Sequence, residues 1–202
     1  MILTFDSEKH QYFLDGVSLP SVTQVLQGVG IIDFSKVPAH LLEAARKFGT
    51  AVHKATELYD KGTLDEESLD INLRPCLAGW KLFRQEYGFV PEFIEEPIYS
   101  KVYRVAGTPD RVGIWRIDDS LIIPDIKTTF EISPANSIQL AGYELMVRES
   151  NKAIGNKVKI KRISVLLNNE GKYKIEEHKD KNDANVFIAA LAVFNWRQKN
   201  GK

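Results

Sequence analysis

The stretch that most constrains this chain runs from Gly107 to Thr129, GTPDRVGIWRIDDSLIIPDIKTT. Two apolar runs flank a polar turn at Asp118-Asp119-Ser120, the pattern of a β-hairpin. A hairpin of that length brings Asp110 and Asp125 near one another on adjacent strands. Successive side chains of a strand alternate in direction, so Asp125 and Lys127 point to the same face. One face of one sheet then presents two carboxylates and an ammonium. Paired carboxylates hold a divalent cation, and a lysine one strand step away can serve a reaction at phosphate.

The rest of the composition bounds the class. A length of 202 residues, 44% of them hydrophobic, fits a single domain with a substantial core and a helical elaboration. No run approaches 18 uninterrupted apolar residues, so no transmembrane helix and no membrane partner is expected. The opening MILTFDSEKH lacks a basic segment followed by an apolar one, so no signal peptide is expected either. Cys76 is the single cysteine, which excludes an internal disulfide and a four-cysteine cluster within this chain and points to a reducing, cytoplasmic compartment. The formal net charge is zero, without the basic footprint usual in a nucleic-acid binder. Two local basic clusters stand out, Lys157, Lys159, Lys161 and Arg162, and Arg46, Lys47 and Lys54; each reads equally as a binding patch or as ordinary solvated charge.

Hydrophobic periodicity organises the chain into a mixed α/β order. Residues 2–19 alternate as a small hairpin turning at Asp15-Gly16, and Ser21-Val22-Thr23-Gln24 reads as a capping box opening a short helix. Leu41, Leu42, Ala45, Val52, Ala55 and Leu58 space out a long amphipathic helix from Pro38 to about Tyr59. A second helix covers about Asn72 to Tyr87 and stops at Gly88. Strands follow over Phe93–Val102, Val105–Ile117 and Ser120–Thr128, then a helix starting at Ser133-Pro134 and running to about Glu149. Lys159–Leu167 and Lys172–Glu177 form a further hairpin, and a last helix spans about Asn182 to Gln198. The expected fold is a central mixed β-sheet flanked by helices, with residues 1–35 an N-terminal hairpin and short helix, 36–90 a helical region and 91–202 the sheet core.

Three more features join the acids and the lysine. In the long helix, Gly49 and His53 share a face; an imidazole ligates transition metals, and the glycine would allow close approach. Taken alone, His53 reads as a structural or surface histidine. Gly107-Thr108-Pro109-Asp110 brackets a carboxylate between backbone-restricting residues, or is a strand-entry turn. Gln139 and Tyr143 lie four apart on one helix face, suited to gripping a phosphate or a base, or to packing as a core-edge pair.

In order these read G-x-x-x-H, G-x-x-D, D-x-K and Q-x-x-x-Y, carried by Gly49, His53, Gly107, Asp110, Asp125, Lys127, Gln139 and Tyr143. That combination resembles the PD-(D/E)XK nuclease superfamily, specifically its RecB-like exonuclease clade. The opening, Tyr12-x-x-Asp15-Gly16 and then Leu19-Pro20-Ser21-Val22-Thr23, is similar to the start of phage-type and mitochondrial exonucleases of that clade. The resemblance implies a restriction-endonuclease-like core, a Mg²⁺ or Mn²⁺ centre and hydrolysis of DNA phosphodiesters. It makes His53, Asp110, Asp125 and the carbonyl of Ile126 metal ligands, and Lys127 the group that positions or helps deprotonate the attacking water and stabilises the developing phosphorane charge, its pKa lowered by partial burial. Gln139 and Tyr143 would shape the substrate side, and Ser21 and Thr23 would bind a phosphate or simply cap a helix. Glu57, one turn beyond His53, and Glu95 or Glu96 are second-tier candidates. Some relatives carry an iron–sulfur cluster; with Cys76 alone, none is expected here. No P-loop is present, so unwinding would fall to a partner such as a helicase or a single-strand annealing or binding protein. The expected activity is a DNA exonuclease of replication, recombination or repair, of bacterial or phage origin. A structure-specific or restriction-type endonuclease and a non-cutting DNA-binding module are the rivals. The helices at residues 38–60 and 72–87 are expected to arch over the site.

Overall fold

The computed structural model describes residues 1–150 and 159–201; Lys157 of the first basic cluster lies outside them. The N-terminal segment forms three antiparallel strands, β1 (Leu3–Asp6), β2 (Gln11–Leu14) and β3 (Val17–Leu19). Asp15 and Gly16 take positive φ of 49° and 81°, the tight turn that the Asp-Gly pair favours. The expected hairpin gains a third strand because Asp6 closes another turn, accepting the Glu8 and Lys9 amides. Helix α1 (Val22–Gly28) follows; its capping box forms as expected, with Ser21 Oγ accepting the Gln24 amide and Gln24 Oε1 accepting the Ser21 amide.

Helix α2 (Ala39–Asp60) and helix α3 (Arg74–Tyr87) come next, α3 ending on Gly88 in the left-handed conformation. Strands β4 (Phe89–Ile94), β5 (Ile98–Ser100), β6 (Val105–Gly107), β7 (Arg111–Trp115) and β8 (Ser120–Lys127) precede α4 (Ala135–Ser150). Strands β9 (Ile160–Leu167) and β10 (Tyr173–His178) and helix α5 (Asn182–Asn200) complete the order. The main sheet runs β10-β9-β8-β7-β4, with β8 and β9 parallel and every other pair antiparallel, a mixed sheet flanked by helices. Parallel neighbours need a crossover, and α4 lies between β8 and β9 in the chain.

Two of the expected strands are broken. The run over 93–102 stops at Glu95, which sits at φ 52°, ahead of Glu96-Pro97; proline has no amide for a ladder. The run over 105–117 is interrupted at Thr108-Pro109-Asp110. Between the breaks, β5 and β6 pair separately as a two-stranded sheet.

Strand alternation sorts the core. Val112, Leu121 and Ile123 face α1, α4 and α5, packing with Val22, Leu26, Leu140, Met146 and Phe187. Trp115, Ile122 and Ile126 face the other way, onto Val52 of α2 and Cys76, Trp80 and Phe83 of α3. Helix α3 is therefore a core helix, not part of an arch. What stands clear is the approach to α2 and its first half: between Asp33 and Phe48, every residue but Leu42 is exposed. Among the described residues no helix is long and apolar enough to cross a membrane.

Candidate metal centre

The ladder between β7 and β8 pairs Gly113 with Ile122, Ile114 with Leu121 and Trp115 with Ser120, and goes no further. Continuing that register would set Asp110 opposite Asp125, but there the strands part. The free backbone groups of Ile126 are taken by side chains instead. Its amide donates to Asp110 Oδ2 at 2.6 Å, and its carbonyl lies 3.0 Å from His53 Nε2. Alternation puts Asp110, Asp125 and Lys127 toward the α4 side, while His53 reaches in from α2 on the opposite side.

The other ring nitrogen, His53 Nδ1, lies 3.3 Å from Asp110 Oδ1 and 3.7 Å from Glu95 Oε1. Ligand atoms of His53, Glu95 and Asp110 all fall within 4.8 Å of one another. Glu95 thus stands where the sequence left Glu95 and Glu96 open, and Glu96 is exposed. Asp125 is outside that trio and almost wholly buried, its Oδ2 2.7 Å from Lys127 Nζ. The Lys127 ammonium is thus the charged partner of this buried oxygen.

The electrostatics follow from this crowding. Burial lowers the His53 pKa, but the Asp110 and Glu95 carboxylates outweigh it and raise the imidazole to about 10. Burial pushes Asp110 up, and His53, Lys127 and the Ile126 amide overcome it, holding the group at about 2. Asp125 is raised: burial dominates, opposed by Lys127 and reinforced by Asp110. Burial raises Glu95 as well, against His53 and Arg111. Lys127 departs from the sequence expectation. Burial does lower it, but Asp125 and Asp110 more than compensate, and its pKa is raised. Lys127 is thus held as a cation by the two carboxylates.

Gln139 Nε2 donates to Tyr143 Oη at 3.3 Å, and burial raises the phenol, so Tyr143 stays neutral. Gly107 makes room for that ring: a Cβ there would lie 2.7 Å from Tyr143 Cε1. The G-x-x-D and Q-x-x-x-Y segments are therefore in direct contact. Gly49 is different, since a Cβ would meet Thr128 Oγ1 at an ordinary 3.6 Å. Close approach to protein does not require that glycine. Tyr12 Oη and Thr108 Oγ1, 2.8 Å apart, brace the Asp110 loop against the N-terminal sheet.

Other candidates lie apart from the trio. Ser21 is buried and its hydroxyl is committed to the helix cap. Thr23 lines two grooves, one with Phe5, His10, Tyr12 and Glu95, the other with Ile31, Phe34, Lys127 and Gln139. Glu57 points away, bonded to Lys54 at 2.9 Å and Lys61 at 2.8 Å. Of the basic clusters, Lys161 is paired with Asp118 at 2.6 Å and Arg162 with Asp183 at 2.9 Å.

Arg111 went unnoticed in the sequence. It is fully buried beside the centre, with Nε 2.6 Å from Asp60 Oδ2. Strand parity offered a signal: the residue after Asp110 must point to the opposite, core-lining face, where a guanidinium needs a carboxylate partner.

The donor set suits a hard divalent ion: carboxylate oxygens, one backbone carbonyl and one imidazole. The buried Asp125 carboxylate fits the same group, because a charge there is costly unless a cation meets it, as Lys127 does in this structure.

No protein-family model matches the chain. No curated protein matches it either. Among solved structures, one described as a "Putative exonuclease" from Eubacterium rectale is similar with a TM-score of 0.49 and 12% identity, over 76% of this chain and 68% of that one.

Proposed function

We propose that the chain is one nuclease domain, a divalent-metal-dependent deoxyribonuclease that degrades DNA from its ends. The observation that carries this reading is the gathering of His53, Asp110 and Glu95 at the parted ends of β7 and β8, beside the Asp125–Lys127 ion pair. Asp110, Asp125, Glu95, the Ile126 carbonyl and His53, as the neutral imidazole once an incoming cation displaces its proton, would hold Mg²⁺ or Mn²⁺. Such an ion offsets the charge of a phosphodiester and lowers the pKa of bound water.

The chain's own residues divide the remaining work. Lys127, kept cationic by Asp125 and Asp110, donates to the phosphate oxygens on which charge grows. Tyr143 keeps its proton and offers a neutral hydroxyl, steadied by Gln139. Phe34 on the Lys127 side, and Phe5 and His10 on the Glu95 side, offer a strand aromatic faces to either side of the centre. DNA is the partner in this reading. A helicase or single-strand binding protein would supply opened ends in replication, recombination or repair, in a bacterial or phage setting.

The test uses end-labelled linear single- and double-stranded DNA beside closed circles, with Mg²⁺, Mn²⁺ or EDTA. Metal-dependent loss of linear DNA with circles spared, absent in Asp125→Ala, is the expected result. Cut circles would move the reading to an endonuclease. DNA binding without cutting under any metal would make the chain a binding module.

A further inference from the structure

Arg111 carries no part of the chemistry above, yet it reaches every member of the His53–Glu95–Asp110 trio. We propose that Arg111 is a positioning residue for the metal, fixing the geometry of that trio and thereby the affinity for a divalent ion. This inference rests on the metal-dependent reading.

The guanidinium spends its donors in four directions. Nε donates to Asp60 Oδ2 at 2.6 Å. NH1 donates both to Glu95 Oε1 at 3.1 Å and to the Asp110 carbonyl at 2.5 Å. NH2 donates to Thr56 Oγ1 at 3.2 Å, and that hydroxyl in turn donates to the His53 carbonyl at 2.9 Å. One planar fork thus touches Glu95 by its side chain, Asp110 by its backbone, and His53 through Thr56. A lysine at this position has no second or third fixed direction in which to donate.

The fork is itself clamped. The Asp60 side chain has no exposed surface and accepts from Arg84, Arg111 and Trp80, so neither oxygen is free to let the guanidinium turn. The Asp110 carbonyl also accepts the Glu95 amide at 3.0 Å, which holds Glu95 in its left-handed backbone at φ 52°. A non-glycine residue there is strained and persists only where its surroundings impose it. Tying α2 to the sheet needs only the Nε–Asp60 contact. The NH1 fork on a strained carboxylate and the relay through Thr56 are not needed for that, but they are what aims three ligand groups at one point.

Mn²⁺ affinity, measured by calorimetry on wild type, Arg111→Lys, Thr56→Val, Glu95→Ala and the Arg111→Lys/Glu95→Ala double variant, tests this, with thermal melts alongside. Arg111→Lys is expected to weaken Mn²⁺ binding about 10–100-fold, as loss of a group that orients ligands does, with kcat near wild type at saturating Mn²⁺. Thr56→Val should weaken it less, and Arg111→Lys should weaken it less in the Glu95→Ala background than in wild type, because one of its three routes to the trio is already gone. Unchanged Mn²⁺ affinity in folded Arg111→Lys and Thr56→Val, whatever the melting temperature, overturns the inference and leaves Arg111 merely structural. If Arg111→Lys does not fold, Thr56→Val decides alone: weakened affinity supports the inference and unchanged affinity ends it. Wild type that binds no Mn²⁺ overturns the metal reading, and this inference with it.

Discussion

Asp110 and Asp125 are the same side chain in surroundings that drive them apart, one held at about 2 and the other raised by burial. Lys127 is what keeps Asp125 tolerable, and it also competes with any cation for the same oxygen, 2.7 Å away. Lys127→Ala therefore removes a competitor as well as a donor. Mn²⁺ affinity should be equal to or tighter than wild type, while kcat falls about 10²–10³-fold, the usual loss when a charge-stabilising donor is removed. A Lys127→Ala protein that binds Mn²⁺ far more weakly would make the lysine structural. Away from the centre, His178 gives a pH dependence with a definite sign. Burial, helped by Arg162, holds its imidazole below the ordinary 6.5 against the pull of Glu176 and Asp183, and its Nε2 lies 2.9 Å from Ser164 Oγ. A base depressed by folding binds fewer protons folded than unfolded, so its cost is absent above 6.5 and grows as pH falls from 6.5 through the folded value. His53, raised to about 10, acts with the opposite sign and above that window. His178→Gln should flatten the acid limb of a plot of melting temperature against pH; an unchanged limb would place that sensitivity elsewhere.

Helix α2 is two objects in one element. Its second half buries Val52 and Ala55 and delivers His53, while its first half presents Leu41 and Phe48 to solvent, Phe48 sharing a groove with the fully exposed Phe130 and Arg46 lying over the Phe34 ring. Truncating buried Trp80 of α3 to alanine would cost about 3–5 kcal/mol. The paired change Leu41→Ala and Phe48→Ala should move stability by less than about 1 kcal/mol, since exposed side chains lose little contact. It should nonetheless weaken binding of single-stranded DNA, measured by fluorescence anisotropy, if the exposed stripe flanks the strand; unaltered binding would free this half-helix from any substrate role. The contrast also marks what the sequence could tell. The period of Leu41, Leu42, Ala45, Val52, Ala55 and Leu58 announced the helix and its apolar face, but a period does not say what a face is packed against. The acids, the lysine and the Gly107-to-Asp110 loop were legible because strand parity and a short hairpin are local. Glu95 stayed ambiguous because its placement depends on a positive φ at a strand end, and Arg111 was hidden because its partner Asp60 lies on a helix far away in the chain.

At the scale of the whole molecule, the centre joins α2, the end of β4, and the strands β7 and β8, so an ion bound there ties together both faces of the sheet. A ligand that binds only the folded state stabilises it by about 2.7 kcal/mol at a hundred times its dissociation constant. For a chain of this size, 1 kcal/mol moves the melting temperature by about 2–4 °C, so saturating Mn²⁺ should raise it by about 5–10 °C. Asp125→Asn separates this effect from general ionic stabilisation. The substitution keeps shape but removes a buried charge that burial disfavours and that Lys127 compensates. Its melting temperature in EDTA should change little, because relief of the buried carboxylate is offset by a Lys127 ammonium left without its partner. The same variant should lose most of the Mn²⁺-induced rise. Thermal melts of both proteins across a Mn²⁺ series decide the matter. Equal shifts in wild type and Asp125→Asn would remove Asp125 from the metal site, and a large loss of stability in EDTA would show that its charge serves the fold and not an ion.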